Sequence, residues 1–416
     1  MFFFVKYVIM NTTTYVTSLQ EVSTMTSSWL KRLSAGLALC LTLGFAGCKG
    51  GGDADTPTDE TQTAQTEETA EAEPASKVGF IFNSDVDSGL TAQLNEQRIK
   101  ASAHSDITTC YIENVSITDF GDAVKALCED GCDYIVSASP VFNNSLTAVA
   151  SKYMNVSFIG LGRSTSSFNI YACTAQPFQG AYTAGMAAAY NSESEKVGIV
   201  ADPDMLYTTA VVNAAALGVQ LVYQNAELST AFATKDDEID AAIDALSQKG
   251  CDVIICYTET AHTADRCEEL GIKYISSLDC SADAAERSNM LLYFNTNYES
   301  FLLSQYKQIS LKTWLSDTFT GTTANGCVNI SAAQPAAKDG TQDIISALVP
   351  KLSNGSAYIF EGQLKDTTGA VRYMQNTMMT TEDIYSMTWY VQGVSVIDNF
   401  RQPITDLETN DFEIKY

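Results

Sequence analysis

The chain has 416 residues, 45% of them hydrophobic, and a formal net charge of −26 from 50 acidic and 24 basic side chains. That length accommodates two domains with real cores, and the apolar content excludes disorder for most of it. The charge balance excludes a nucleic-acid partner, because a phosphate polymer needs a Lys/Arg stripe that these numbers do not offer.

Residues 1–24 lie upstream of Met25 and read as a start placed ahead of the true one. From 25 to 47 the pattern is that of a secretory signal: Lys31 and Arg32, then the apolar run LSAGLALCLTLGFAG, ending at Cys48. The run is short for a permanent membrane-spanning helix, so a plain membrane anchor is the weaker reading. FAGC at 45–48 resembles a bacterial lipobox, with Phe45 where Leu is usual, and implies that Cys48 carries a lipid at the outer face of the cell membrane. Residues 48–76 are rich in Thr, Glu, Asp and Ala and contain no aromatic residue. Such a segment cannot bury enough surface to offset its ordering entropy, and reads as a self-repelling acidic tether.

The body opens on a repetition. KVGFIF starts at Lys77 and KVGIVA at Lys196; GCDYIV starts at Gly131 and GCDVII at Gly250, and both pairs are 119 residues apart. A shared offset predicts a duplicated unit. In the first copy, KVGFIFN, CYIENV, DYIVSAS and VSFIGL read as buried strands, alternating with the helical patterns LTAQLNEQRIKASA, DFGDAVKALCEDG and FNNSLTAVASKYM. In the second, KVGIVADP, LVYQNAE, DVIICYTE and KYISSL read as strands, with helices over LYTTAVVNAAALGVQ, DDEIDAAIDALSQKG and AHTADRCEELG. ELSTAFATK then reads as an insertion beyond the carboxyl end of the second strand, which puts Phe232 on a loop. MLLYFNTN and YESFLLSQYKQI are expected to return the chain to the first lobe. The tail should form a hairpin and a helix that opens with Thr381, Glu382 and Asp383.

Strands alternating with helices of this length predict an α/β protein with two Rossmann-like lobes on parallel sheets. Lobe I is expected over 77–174 plus about 290–335, and lobe II over 175–289 plus about 336–400. Two facing lobes make a cleft, and ligand sites favour such interfaces.

Of eleven cysteines, Cys40 falls in the leader and Cys48 at the lipidation position, which leaves nine in the body. CEDGC at 128–132 and CDVIIC at 251–256 lack the paired spacings of a zinc site, and most of these thiols read as core filler. Export would permit one or two disulfides of unreadable connectivity. His104 and His262 have no readable nucleophile partner, and no phosphate-binding glycine loop occurs. No catalytic residue, metal or cofactor is therefore expected.

The tail residues EGQLKDTTGAVR and TTEDIYSMTWYVQGV closely resemble the end of the basic membrane lipoprotein family, substrate-binding proteins of ABC importers that include purine-nucleoside receptors. KVGFIFNSDVDSG, AVKALCEDGCDYIVSASPVFNNSLTAVASKY, QPFQGAYTAGMAAA and NAAALGVQ fit it as well, so the resemblance runs from Lys77 to Val394. It implies the type I periplasmic-binding-protein fold, a small polar ligand, nucleoside-like, between the lobes, and an ABC permease as partner to a monomeric, lipid-anchored receptor. Carried over by position, it implies ligand roles for Asn83, Asp85, Asp87, Phe142, Asn143 and Asn144 in lobe I. In lobe II the corresponding residues are Phe232, Glu259 and Asp279. Leu90 stands where the family has an aromatic residue, Asn144 where an acid is common, and Glu259 where Asp is typical. Residue by residue, other readings stay open: Asp85 and Asp87 suit a surface turn, Asn143 and Asn144 a helix cap, and Phe232 a core. A sensor that signals to a membrane partner and an exported nucleoside-processing enzyme are the competing functions.

Overall fold

The computed structural model describes residues 76–397. The leader, Cys48 and the tether lie outside them, as do residues 398–416.

Chain order explains the architecture. Lobe I starts with β1 (Lys77–Ile81), α1 (Gly89–Ala103), β2 (Thr108–Ile112), α2 (Phe120–Glu129), β3 (Tyr134–Ser137), α3 (Asn143–Ala150), β4 (Ser157–Leu161) and β5 (Ile170–Ala175). The chain then crosses to lobe II: α4 (Phe178–Asn191), β6 (Val197–Ala201), α5 (Thr208–Val222), β7 (Leu228–Phe232), α6 (Asp236–Gln248), β8 (Val253–Tyr257), α7 (His262–Leu270), β9 (Lys273–Ser276) and β10 (Met290–Thr296). It returns for α8 (Glu299–Ser310) and β11 (Thr318–Gly321). A final crossing brings β12 (Val328–Ile330), α9 (Thr341–Ser353), the hairpin β13 (Leu364–Lys365) and β14 (Val371–Tyr373), α10 (Thr381–Tyr385) and β15 (Val394–Val396).

Lobe I carries a six-stranded sheet in the order β11-β5-β4-β3-β1-β2, parallel throughout. Lobe II carries seven strands in the order β12-β10-β9-β8-β6-β7-β15, in which only β12 runs antiparallel to its neighbour. The central strands are buried end to end, as their unbroken apolar runs require when helices cover both sheet faces. The twin phrases occupy equivalent places. Gly131 (φ +86°) and Gly250 (φ +87°) each follow a helix in the left-handed region that a C-terminal stop favours, and each leads into the strand beside the first of its lobe.

Two expectations need correction. LVYQNAE is not a strand, because Leu221 and Val222 complete α5; the strand is β7, drawn from the segment read as an insertion. β7 pairs with β6 from Val197↔Leu228 to Ala201↔Phe232, the register that β1 and β2 show from Lys77↔Thr108 to Ile81↔Ile112. The two copies therefore have the same crossover length and no insertion. Second, β10 does not return the chain to lobe I. It pairs with β9 in the lobe II sheet, and the hand-over comes only at 297–298, before α8 buries Phe301, Leu302 and Tyr306 in the lobe I core. Beside β9, with a bulge between Met290 and Leu292, and with β12 on its other side, β10 has backbone partners on both edges.

Candidate functional site: a cavity between the lobes

Parallel sheets present their strand ends to one side, and both lobes turn that side toward a shared cavity. From lobe I come Asn83 after β1, Ser139 after β3, Gly162 after β4, and Leu90, Leu94 and Gln97 of α1. From lobe II come Met205 and Leu206 after β6, Glu259 after β8, Ser277 after β9, and Phe294 and Asn295 of β10; Tyr257 and Tyr298 complete the wall. The cavity encloses about 100 Å³. A single water needs only ~10–15 Å³ on this measure, so the space suits a small organic molecule.

The polar groups there are unevenly satisfied. Asn295 and Ser277 are 3% and 6% exposed. Neither the Asn295 Nδ2 nor the Ser277 Oγ has a hydrogen-bond partner among the described residues. Leaving a buried polar atom unpaired costs roughly 1–3 kcal/mol, and two such atoms stand together on the lobe II side of the cavity. Glu259 adds a carboxyl whose pKa is raised to about 7, first by burial and then by the negative charges of Asp202 and Asp204. Asp202 behind it is 2% exposed and is itself pushed up to about 6, chiefly by burial. Among the described residues no Lys, Arg or His lines the cavity, and Arg163 lies on the wider groove beside it. The cavity is apolar on several sides and acidic on one, with no cationic side chain in its own lining among the described residues.

The lobes touch directly around it. Leu90 N–H donates to the Glu259 carbonyl at 2.8 Å. The Gln93 side-chain amide donates to the Asp279 carbonyl, and its Oε1 accepts from the Asp279 N–H, both at 3.0 Å. Gln97 does the same between the Thr296 carbonyl (3.3 Å) and the Tyr298 N–H (2.8 Å). Thr174 and Tyr207 join hydroxyls at 2.8 Å near the first crossing. This is a closed arrangement.

Of the residues marked out by sequence, Asn83 and Glu259 line this cavity. Asn143 lies on a wider groove beside it, its Nδ2 donating to the Gly162 carbonyl at 2.9 Å. The others are elsewhere. Asp85 is exposed and accepts the Asp87 N–H at 2.7 Å, a local turn that uses both residues. Asn144 is exposed. Asp279 is exposed and meets lobe I through its backbone, while its carboxylate accepts the Ser281 N–H. Phe142 is core, stacked on Phe120 at 4.7 Å under α2 and α3. Phe232 is also core, 3% exposed, with its ring 6.1 Å from that of Tyr390. Ser277, Asn295 and the tyrosine wall were missed, since a small polar residue or Tyr at a strand end carries no local signal. The nine cysteines of the described region are all free thiols.

Two lobes of parallel sheet, joined by three crossings and facing each other with their strand ends, define the type I periplasmic-binding-protein fold. Residues 75–356 match the family model described as Bmp, ABC transporter substrate-binding protein PnrA-like, and the chain belongs to that family. It is 22% identical over 333 residues to a purine-binding protein of Brucella abortus (strain 2308), covering 78% of this chain and 94% of that one. Among solved structures, an ABC transporter solute-binding protein from Aeropyrum pernix K1 superposes with a TM-score of 0.60 at 13% identity, covering 74% and 95% of the two chains. One from Conexibacter woesei DSM 14684 superposes with a TM-score of 0.58 at 18% identity, covering 68% and 98%. These two similarities speak for the fold.

Proposed function

We propose that the protein is a lipid-anchored receptor on the outer face of the cell membrane, which traps a purine nucleoside or its base between the lobes and delivers it to an ABC permease. The observation that carries the ligand reading is the pair of unpartnered buried atoms, Ser277 Oγ and Asn295 Nδ2, on a wall that also holds Glu259. A purine edge supplies the acceptors and N–H donors those groups lack, and Leu90, Leu94, Phe294 and Tyr298 supply apolar surface for its faces. The lining of the cavity itself, among the described residues, holds a carboxyl and no basic side chain, which favours a ligand without phosphate there. The purine-binding relative in Brucella abortus agrees with this ligand class. Family membership supports a permease partner and a binding rather than a catalytic role. Cys48 supports the lipid anchor. Closure works by differential affinity: a ligand touching both lobes binds the closed form more tightly and shifts the hinge equilibrium.

Titration calorimetry of residues 77–416 tests the ligand. Purine nucleosides or bases should bind, their 5′-phosphates should bind at least tenfold more weakly, and Asn295→Leu should weaken binding by tenfold or more. Binding of sugars alone, or an undiminished affinity in Asn295→Leu, would move the receptor to another ligand class.

A further inference from the structure

At the edge of lobe I opposite the cleft lies a cluster that ligand binding does not use. Cys110 on β2 and Cys132, just before β3, place their sulfurs 3.4 Å apart, 0% and 2% exposed respectively. Asp130 approaches the Cys110 sulfur at 3.8 Å, and the Lys77 ammonium bonds both the carboxylate and the carbonyl of Asp130. The two thiols and this carboxylate lie within 4.8 Å of one another, a spacing that could hold a metal ion, but the Lys77 ammonium already supplies the positive charge beside them. A divalent cation would have to displace that ion pair.

We infer that Cys110 and Cys132 are a disulfide-forming pair that locks the edge of lobe I when an external disulfide is available. The sulfurs are already in van der Waals contact, so bond formation has to bring them only a little over 1 Å closer, to about 2.05 Å. The Cys110 thiol is pushed down by the hydrogen bond from Cys132 and by Lys77, against burial and Asp130, while Cys132 is held up by the same hydrogen bond and by burial. Either thiol can open the exchange once the segment is exposed.

The exchange balances. One of the two thiols loses its proton and attacks one sulfur of the donor disulfide, whose other sulfur leaves as a thiolate and takes up a proton. The second protein thiol then loses its proton and attacks the protein sulfur of the mixed disulfide, and the remaining donor thiolate departs and takes up a proton. Two protein thiols are oxidised and one donor disulfide is reduced to two thiols. Because both sulfurs are buried, the exchange takes place during folding or local opening rather than at a standing surface site. Within the cell it requires the exported location proposed above; the chemistry of the pair does not, and it is testable on purified protein.

The reduced chain is refolded from urea in mixed reduced and oxidised glutathione, its remaining thiols are alkylated in denaturant, and it is digested without reduction. The expected product is one peptide pair joined through Cys110 and Cys132, lighter by the two hydrogens lost. Thermal melting should fall by about 5 °C on reduction, because the bond closes a ring spanning 22 positions. That drop should vanish in Cys132→Ala and in Cys110→Ala. Recovery of both residues as alkylated thiols, as separate glutathione adducts, or linked to other cysteines would overturn the inference. So would protection of both thiols from alkylation by Zn²⁺ alone, which would make the cluster a metal site.

Discussion

Glu259 meets the cavity with Asp202 and Asp204 behind it, and burial and like charge act in the same direction. Its folded-state pKa, about 7, stands above the ordinary glutamate value, so the folded form holds this proton more tightly than the unfolded form. The sign follows: the protonated carboxyl's stability advantage is intact below the ordinary pKa and is lost as pH rises through about 7. Gln mimics the protonated acid. Glu259→Gln and the parent should therefore melt alike near pH 4.5, while at pH 8 the variant should be more stable by on the order of 1–2 kcal/mol. A stability difference that stays constant across that range would sink this account of the site's electrostatics. Glu259 was marked in the sequence by the family resemblance together with its place just past an apolar strand, and it does line the cavity. Asn295 was not, since it lies inside a strand and only its lack of a partner marks it. Asp85 and Asp87 looked equally conspicuous, but a short turn absorbed them locally before the cleft could.

At the level of elements, the repeat was the reliable signal and local hydropathy the misleading one. Leu221 and Val222 form the last turn of α5, with Leu221 exposed, and the equal spacing of β1–β2 and β6–β7 shows that the strand comes later. The consequence is physical. On β7, Phe232 packs into the lobe II core with Tyr390 and is not part of the cavity lining. Its backbone is paired with Ala201 of β6 at the end of that ladder, so the cavity left by truncation cannot easily collapse. Phe232→Ala should cost about 3–5 kcal/mol in urea unfolding yet leave ligand affinity within about twofold. A tenfold loss of affinity in protein that is still folded would return Phe232 to the cleft. β15 had no sequence signature, because VSV is three residues long and gains its strand conformation only by pairing with β7.

The whole molecule depends on α1 as a latch. The two-lobed plan was readable from the alternation of strands and helices, but the crossings were not, because β10 and α8 look the same in either lobe until pairing decides. Across the closed cleft α1 supplies Leu90, Gln93 and Gln97, each bonded to lobe II backbone or to the crossing segment. Uncharged hydrogen bonds contribute about 1 kcal/mol each, so a handful holds the closed form within reach of a ligand's differential affinity. The approach that permits them is narrow. Gly89 has φ +57°, and a Cβ there would lie 2.0 Å from the Glu259 carbonyl oxygen, a backbone atom that cannot yield alone. Gly89→Ala adds a modest strain within lobe I but denies the closed contact outright. The variant should fold, and its radius of gyration in solution scattering should stay at the open value when saturated with the ligand that compacts the parent. Its affinity should fall tenfold or more, because the ligand then keeps only the contacts of one lobe. If Gly89→Ala compacts and binds like the parent, closure does not run through α1, and the hinge must bring the lobes together by some other surface.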